Sequence, residues 1–584
     1  MGSSLATARQ QQARERCAER DAAHAAWVVQ TAPPAAVSAL DGGVAACAAA
    51  LASGAATSEG LTLAAIARTH RVGFALNAVT HERYADALDD ARASDMRRAR
   101  GAALGPLEGV PVSVKDVFEI GGLDTLQGCA ARAGSVAAAD GLVVSLLRSA
   151  GAVIVCKSNV PQLLMVPESD NFIFGRTLNP WDAARTPGGS SGGEGALVAS
   201  RCVAAGVGTD IGGSIRHPAA FTGIVGFKPS PERVTRRGWP APRGPDGSDG
   251  QHAILPAAGP LARCVADAAA IMRALLAPAA AVADPTVPAL PFDEAAFAAP
   301  ATRPLRIGRL DVDGFCAAAP PCARAVDDAA TALTAAGHTV MDEPLLPAAE
   351  ITAACFNYYA LLGADGDLHE FKRGLEGEAL HPVYALMDLG ATMSAPLRWL
   401  VVAVLRALGM TRAADLLELA RRRSARELWA LVERRDAFKA RLMQAMSAAR
   451  LDALLAPALA VPAFLHGQSR DITPACAPAF IFNLVGFPAG VLPVPRRVDE
   501  SECHYDAPLG QRDPCAAAMR AALAGAAGLP VAVQVVGLPL RDEHTLGVMA
   551  VVEAVLAREA GGRGGGGCPD AVLEATIAKL RGRA

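Results

Sequence analysis

The sequence predicts an α/β fold, and three observations carry that prediction. The first is alternation: GVPVSV (109–114) is a short apolar strand ending at Lys115, and GLVVSLLRSAGAVIVCKSN (141–159) reads as helix, Gly turn and buried strand. The second is the return of strand-like runs late in the chain, at ALLAPAL (453–459), AGVLPV (489–494) and LPVAVQVVG (529–537). The third is composition. Hydrophobic residues are 52% of 584 but aromatic ones only 4%, so Ala, Leu and Val must fill the core. Ala is the best helix former, so such a core favours many closely packed helices around those strands.

The remaining elements follow in chain order. Residues 1–70 read as polar-faced helices, with 1–60 an N-terminal helical extension. A Pro/Ala-rich connection (275–304) leads to a strand at LRIGRL (305–310), and 395–448 is strongly helical. The stretch 495–528, between two late strands, reads as a surface insertion. GGRGGGG (561–567) is a flexible linker within a C-terminal tail, 557–584, that ends in a short helix. There is no internal repeat. About 150 residues per domain would allow several domains, but large α/β enzymes run longer as one unit.

Charge and cysteine content exclude several classes. Fifty-five basic and 58 acidic residues give a net charge of −3, which favours no nucleic-acid partner. High hydrophobicity excludes wholesale disorder. The thirteen cysteines form no CxxC pair and no zinc spacing, so reduced thiols are expected and no metal or cofactor is called for. Residues 8–21 are charged and lack an apolar h-region, so no signal peptide is expected. MGSSLAT nearly fits a myristoylation signal at Gly2, but Ala6 sits where Ser or Thr is wanted. No run of 18 strongly apolar residues is apparent, so no transmembrane helix is expected; GGVAACAAALASGAAT (42–57) reads as a soluble helix.

The informative segment is TPGGSSGGEGALVASRCVAAGVGTDIGGSIRHPAAFTGIVGFKPS (186–230), with one Gly/Ser cluster around Ser190 and Ser191 and another around Ser214. Glycines beside a serine admit φ > 0 and free consecutive N–H groups to point at an anion. GGSSG (188–192) also matches G-x-S-x-G, but an elbow of that type needs a strand immediately before it. NPWDAARTP (179–187) is polar and Pro-bounded, so that reading is set aside.

The whole segment closely resembles the amidase signature family: GGSSGGEGALVAS, then GTDIGGSIRHPA, with the upstream lysine in GVPVSVKD. The likeness continues through NVPQ, FGRTLNPWD, FNLVGFPAGVLPV and GLPVAVQVVG, and covers about residues 60–556. Within the family the chain looks most like the fatty acid amide hydrolases. The resemblance implies one large domain, 61–556, whose central mixed, twisted sheet is covered by helices on both faces. It also implies a Ser–cis-Ser–Lys triad: Ser214 as nucleophile, Ser190 as bridge, Lys115 as base. The backbone N–H groups of Ile211, Gly212, Gly213 and Ser214 are the implied oxyanion hole. Burial after VPVSV is the physical route to a neutral Lys115. Ser191 is read as local support, Asp210 and Arg216 as charges that hold the loop. His217, where an apolar or aromatic residue is usual, is read as structural.

Two further stretches bear on substrate. In the related lipid-amide hydrolases the counterpart of LLMV (163–166) lines the substrate cavity, which makes Leu164 and Met165 substrate contacts. APLRWLVVAVLRALGMTRAADLLELARRR (395–423) is apolar around Trp399 and flanked by arginines, which reads as an interfacial helix too short to span. The resulting expectation is a serine hydrolase cleaving lipid amides, with possible esterase side activity, intracellular and either cytoplasmic or peripheral on an internal membrane. A homodimer is among the assemblies this reading allows. One alternative is the glutaminase-type, ammonia-transferring component of a tRNA-dependent amidotransferase. Another is a catalytically inactive lipid-binding or scaffold relative.

Overall fold

The computed structural model describes residues 2–239, 251–366, 368–559, 561 and 566–581. Most of the Gly-rich linker predicted at 561–567 lies outside them.

Among the described residues, eleven strands form one mixed sheet. In chain order they are β1 (Val79–Glu82), β2 (Pro111–Lys115), β3 (Val153–Ser158), β4 (Ala205–Asp210), β5 (Val225–Lys228) and β6 (Ala257–Ala262). Then come β7 (Arg306–Arg309), β8 (Thr339–Met341), β9 (Ala453–Pro457), β10 (Ala489–Pro493) and β11 (Ala532–Val536). Their order across the sheet is β1-β3-β2-β4-β6-β5-β10-β11-β9-β7-β8. β2 lies between β3 and β4 and is parallel to both. The centre of the sheet, from β4 through β6, β5, β10 and β11 to β9, is antiparallel. Every residue of β2, β3, β4 and β11 is buried, as expected of strands covered on both faces.

The helical N-terminal segment joins the same core. Leu40, Val44, Cys47 and Leu51 are buried in it, and the Asp267 carboxylate accepts from the N–H groups of Val44 and Ala45 at 3.0 Å each. The stretch 495–528, read as a surface insertion, also contributes to the core. Its helix Pro514–Leu523 buries Cys515, Ala516, Met519, Ala522 and Leu523, an apolar stripe at helical spacing that the polar flanks obscured. The expectation of no membrane-length apolar run also changes. Val265–Ala283 is long and apolar enough to cross a membrane by length and composition, but more than half of it is buried in the fold, and it breaks ahead of Pro278.

Arg412 gives a stability test. It reads from sequence as one of the cations flanking the apolar helix, yet it is buried and donates to Asp513 at 2.6 and 2.9 Å and to the Phe315 carbonyl at 3.0 Å. Arg412→Ala strands a buried carboxylate and should cost about 3–5 kcal/mol in chemical denaturation. Arg412→Met with Asp513→Leu should recover most of that loss. A single-mutant cost below about 1 kcal/mol, the surface-pair range, would contradict the buried placement.

Candidate active site

The site forms where the parallel strands β2 and β4 end. Val114 pairs with Val207, so Lys115, the last residue of β2, lies beside Gly208 and Thr209. The Lys115 Nζ donates to Ser190 Oγ at 2.7 Å and to Thr209 Oγ1 at 2.9 Å. Lys115 is fully buried. Burial pushes its amine down to about 7, against the nearby negative charges of Asp210 and Glu194. Neutral amine is therefore abundant near neutral pH.

Ser190 is held by a loop that runs close under its neighbours, and the Gly189–Ser190 peptide is cis. A Cβ on Gly189 would sit 2.5 Å from the Glu168 nitrogen and 2.6 Å from the Val166 oxygen, so only glycine admits this approach. Ser191 donates through its N–H to the Ser214 carbonyl at 3.2 Å and through its hydroxyl to the Thr209 carbonyl at 3.4 Å. It then starts the fully buried helix Gly192–Ala199.

Ser214 sits half-buried on the turn after β4. Asp210 ties that turn together: its carboxylate accepts from Gly213 N–H at 2.7 Å and Ile215 N–H at 3.1 Å. It also pairs with the Arg216 guanidinium at 3.0 Å. Burial raises the Asp210 carboxyl, but the charge of Arg216 outweighs it and leaves the group well below the usual carboxylate range. Of the four expected oxyanion donors, the Gly213 N–H is the one that donates to Asp210. Among the described residues the N–H groups of Ile211, Gly212 and Ser214 meet no acceptor.

The three triad candidates are not joined equally. Lys115 and Ser190 are directly hydrogen-bonded, whereas Ser214 reaches them through its carbonyl and Ser191. Among the described residues its hydroxyl makes no hydrogen bond to Ser190. Catalytic hydrogen bonds often shorten only when substrate is bound.

Several neighbours were not foreseen. Thr209 is a second acceptor for the Lys115 amine. Glu194, buried beside Ser113 at 2.5 Å, is pushed up to about 7 by burial. Tyr358, from the helix Ala348–Leu362, donates to the Ile211 carbonyl at 3.1 Å and stacks on Phe480 with ring centroids 4.3 Å apart. Parallel pairing of β2 and β4 would place Thr209, but no local pattern marks Tyr358. The His217 ring is buried against Gly213, and burial pushes it down to about 3, so it is neutral.

Of the two predicted substrate contacts, Leu164 is buried in the main core. Met165 lines a cavity of about 120 Å³ with Tyr359, Phe371, Met387, Leu416 and Leu419.

The Amidase family model matches residues 60–546. The chain belongs to the amidase family. It is 38% identical to fatty-acid amide hydrolase 1 of Sus scrofa over 459 residues, covering 78% of this chain and 76% of that one. A glutamyl-tRNA(Gln) amidotransferase component from Myxococcus xanthus is 43% identical, but over 231 residues, 40% of this chain and 46% of that one. A solved fatty acid amide hydrolase has the same fold, with a TM-score of 0.77, 22% identity, and coverage of 90% of this chain and 86% of its own. Family and relatives make this an amide-hydrolysing enzyme.

The turn at Gly213 yields a test. Its φ is +117°, and a Cβ there would lie 1.9 Å from the His217 Nε2. Gly213→Ala should displace the turn and lower kcat on a simple amide about 10²–10³-fold, the cost of a misplaced oxyanion donor. His217→Ala in the same chain should restore part of the activity by making room. No drop in kcat for Gly213→Ala would show that this turn does not shape catalysis.

Proposed function

We propose that the protein hydrolyses fatty acid amides to acid and amine through Ser214, Ser190 and Lys115. The observation that carries this reading is the 2.7 Å hydrogen bond from a buried Lys115 amine, lowered to about 7, to the Ser190 hydroxyl. Neutral Lys115 takes the Ser190 proton as Ser190 takes that of Ser214. The freed Ser214 Oγ attacks the amide carbonyl, and the N–H groups of Ile211, Gly212 and Ser214 receive the developing oxyanion. On collapse, the proton held on Lys115 returns through Ser190 to the leaving amine. Water then hydrolyses the acyl-enzyme by the same route in reverse.

Two features favour a lipid amide. The cavity at Met165 is lined almost wholly by apolar side chains. The helix Ala395–Ala407 exposes Leu397, Trp399, Leu400 and Val404, with Leu408 just beyond, and buries only Val402. The segments on either side of this helix supply Met387, Ala391, Leu416 and Leu419 to the cavity wall. We read the apolar face as a membrane-contacting surface through which a bilayer-dissolved amide enters. Immersing several such side chains offers up to about 1.5–3 kcal/mol each, enough for reversible binding. Of the flanking arginines, Arg412 is buried on Asp513, Arg406 pairs with Asp415 and Glu418 and Arg421 pairs with Glu427. Among the described residues Arg398 and Arg423 donate only to backbone carbonyls and Arg422 is exposed, so these three remain as cations toward an anionic surface.

Two experiments test this. A fluorophosphonate probe should label the wild type and fail to label Ser214→Ala at unchanged fold. Labelling that persists in Ser214→Ala but vanishes in Ser191→Ala would move the nucleophile. In the second, the protein should co-sediment with neutral vesicles and somewhat better with anionic ones, the added part weakening with salt. Trp399→Glu with Leu408→Glu should release it and slow hydrolysis of long-chain amides in bilayers, while short soluble amides are cleaved normally. Equal loss on both substrates would reject the membrane-contact reading.

A further inference from the structure

We propose a second ligand pocket, between the helices Ala348–Leu362 and Ala425–Ala448, that takes an N-acylated amino acid. A cavity of about 540 Å³ opens there, within the range of small-molecule sites. It shares only Leu419 with the cavity at Met165. Phe356, Leu419, Leu431 and Phe438 supply apolar surface for an acyl chain.

The polar groups define the rest of the ligand. Asn357 is only 7% exposed. Its Nδ2 donates to the Leu431 carbonyl at 3.0 Å, which fixes the orientation of the amide. That leaves Oδ1 buried with no donor among the described residues. An unpaired buried acceptor is destabilising, so a ligand N–H is the group this position lacks. Arg434 follows Leu431 by one helical turn and so lies on the same face. Among the described residues it has no ion pair, whereas Arg441 on the same wall is neutralised by Glu350 at 3.0 Å. The uncompensated charge of the pocket is therefore positive and selects an anionic head.

Three ligand features follow: an apolar chain, an N–H donor and a carboxylate. A fatty acid lacks the donor, and a neutral acyl ethanolamide lacks the charge. An N-acylated amino acid carries all three. The pocket stands on its own side chains and does not depend on the catalytic reading.

The test is photo-crosslinking with dodecanoylglycine bearing a diazirine at the chain end, below its micelle concentration. The full chain carries Ser214→Ala, and the probe is checked to be intact afterwards. Peptide mapping should place saturable label within 353–360 and 431–441. Arg434→Gln and Asn357→Leu should each weaken it about tenfold or more, the scale of one charge-assisted or buried hydrogen bond. Because Asn357→Leu removes a structural contact, the surface change Arg434→Gln is the decisive variant. On its own it should leave short-amide turnover and the denaturation midpoint unchanged. The matching fatty acid and ethanolamide probes should label these peptides about tenfold less. Label confined to peptides around Met165, label undiminished by Arg434→Gln, or equal labelling by the fatty acid would overturn the proposal.

Discussion

The buried pair of Asp210 and Arg216 is the constraint on which the site depends. Asp210 ends β4 and gathers the N–H groups of Gly213 and Ile215, so the turn carrying Ser214 is closed by a carboxylate and not by a regular ladder. Arg216 passes the restraint outward, donating to Asn483, to Gln534 of β11 and to the Ala479 carbonyl. A single ion pair thus ties the turn after β4 to a strand and a helix far along the chain. Both partners are fully buried, so removing either would leave an uncompensated charge in the core. Committing the Gly213 N–H to this knot also decides which neighbouring N–H groups still point elsewhere.

Lys115 sits in the opposite situation. It is buried with no carboxylate in direct contact, and hydroxyl and carbonyl oxygens surround its amine. Desolvation therefore dominates over charge attraction and brings the amine toward neutrality. Asp210, engaged by Arg216, attracts it only without direct contact, and Glu194 is itself pushed up to about 7 by burial. The neighbouring ends of β4 and β2 thus carry, side by side, a permanently charged pair that holds shape and a lysine that can gain or lose its proton.

Much of this was legible in the sequence, for identifiable reasons. β2, β3, β9, β10 and β11 were readable as short apolar runs, and the Gly/Ser clusters marked the loops of Ser190 and Ser214. What escaped depended on distant partners. Arg412 looked like a surface cation until the fold placed Asp513 against it. Cys515, Ala516 and Met519 looked like part of an insertion because their stripe is interrupted by polar flanks. Tyr358 contacts Ile211 only because two helices and the turn after β4 converge. That the Gly213 amide donates to Asp210 could not be read without knowing where that carboxylate points.

In the proposed reaction, Lys115, neutral by burial, drives the serine nucleophile. The most direct measurement is the pH dependence of the second-order rate constant for fluorophosphonate inactivation, in the wild type and in Lys115→Ala. In the wild type the rate should rise through one ionisation near pH 7, as the amine loses its proton and becomes able to accept one. In Lys115→Ala the rate should be far lower and that step should be gone, leaving a continued climb with hydroxide. A flat wild-type profile from pH 5 to about 9, or the same step retained in Lys115→Ala, would contradict the account.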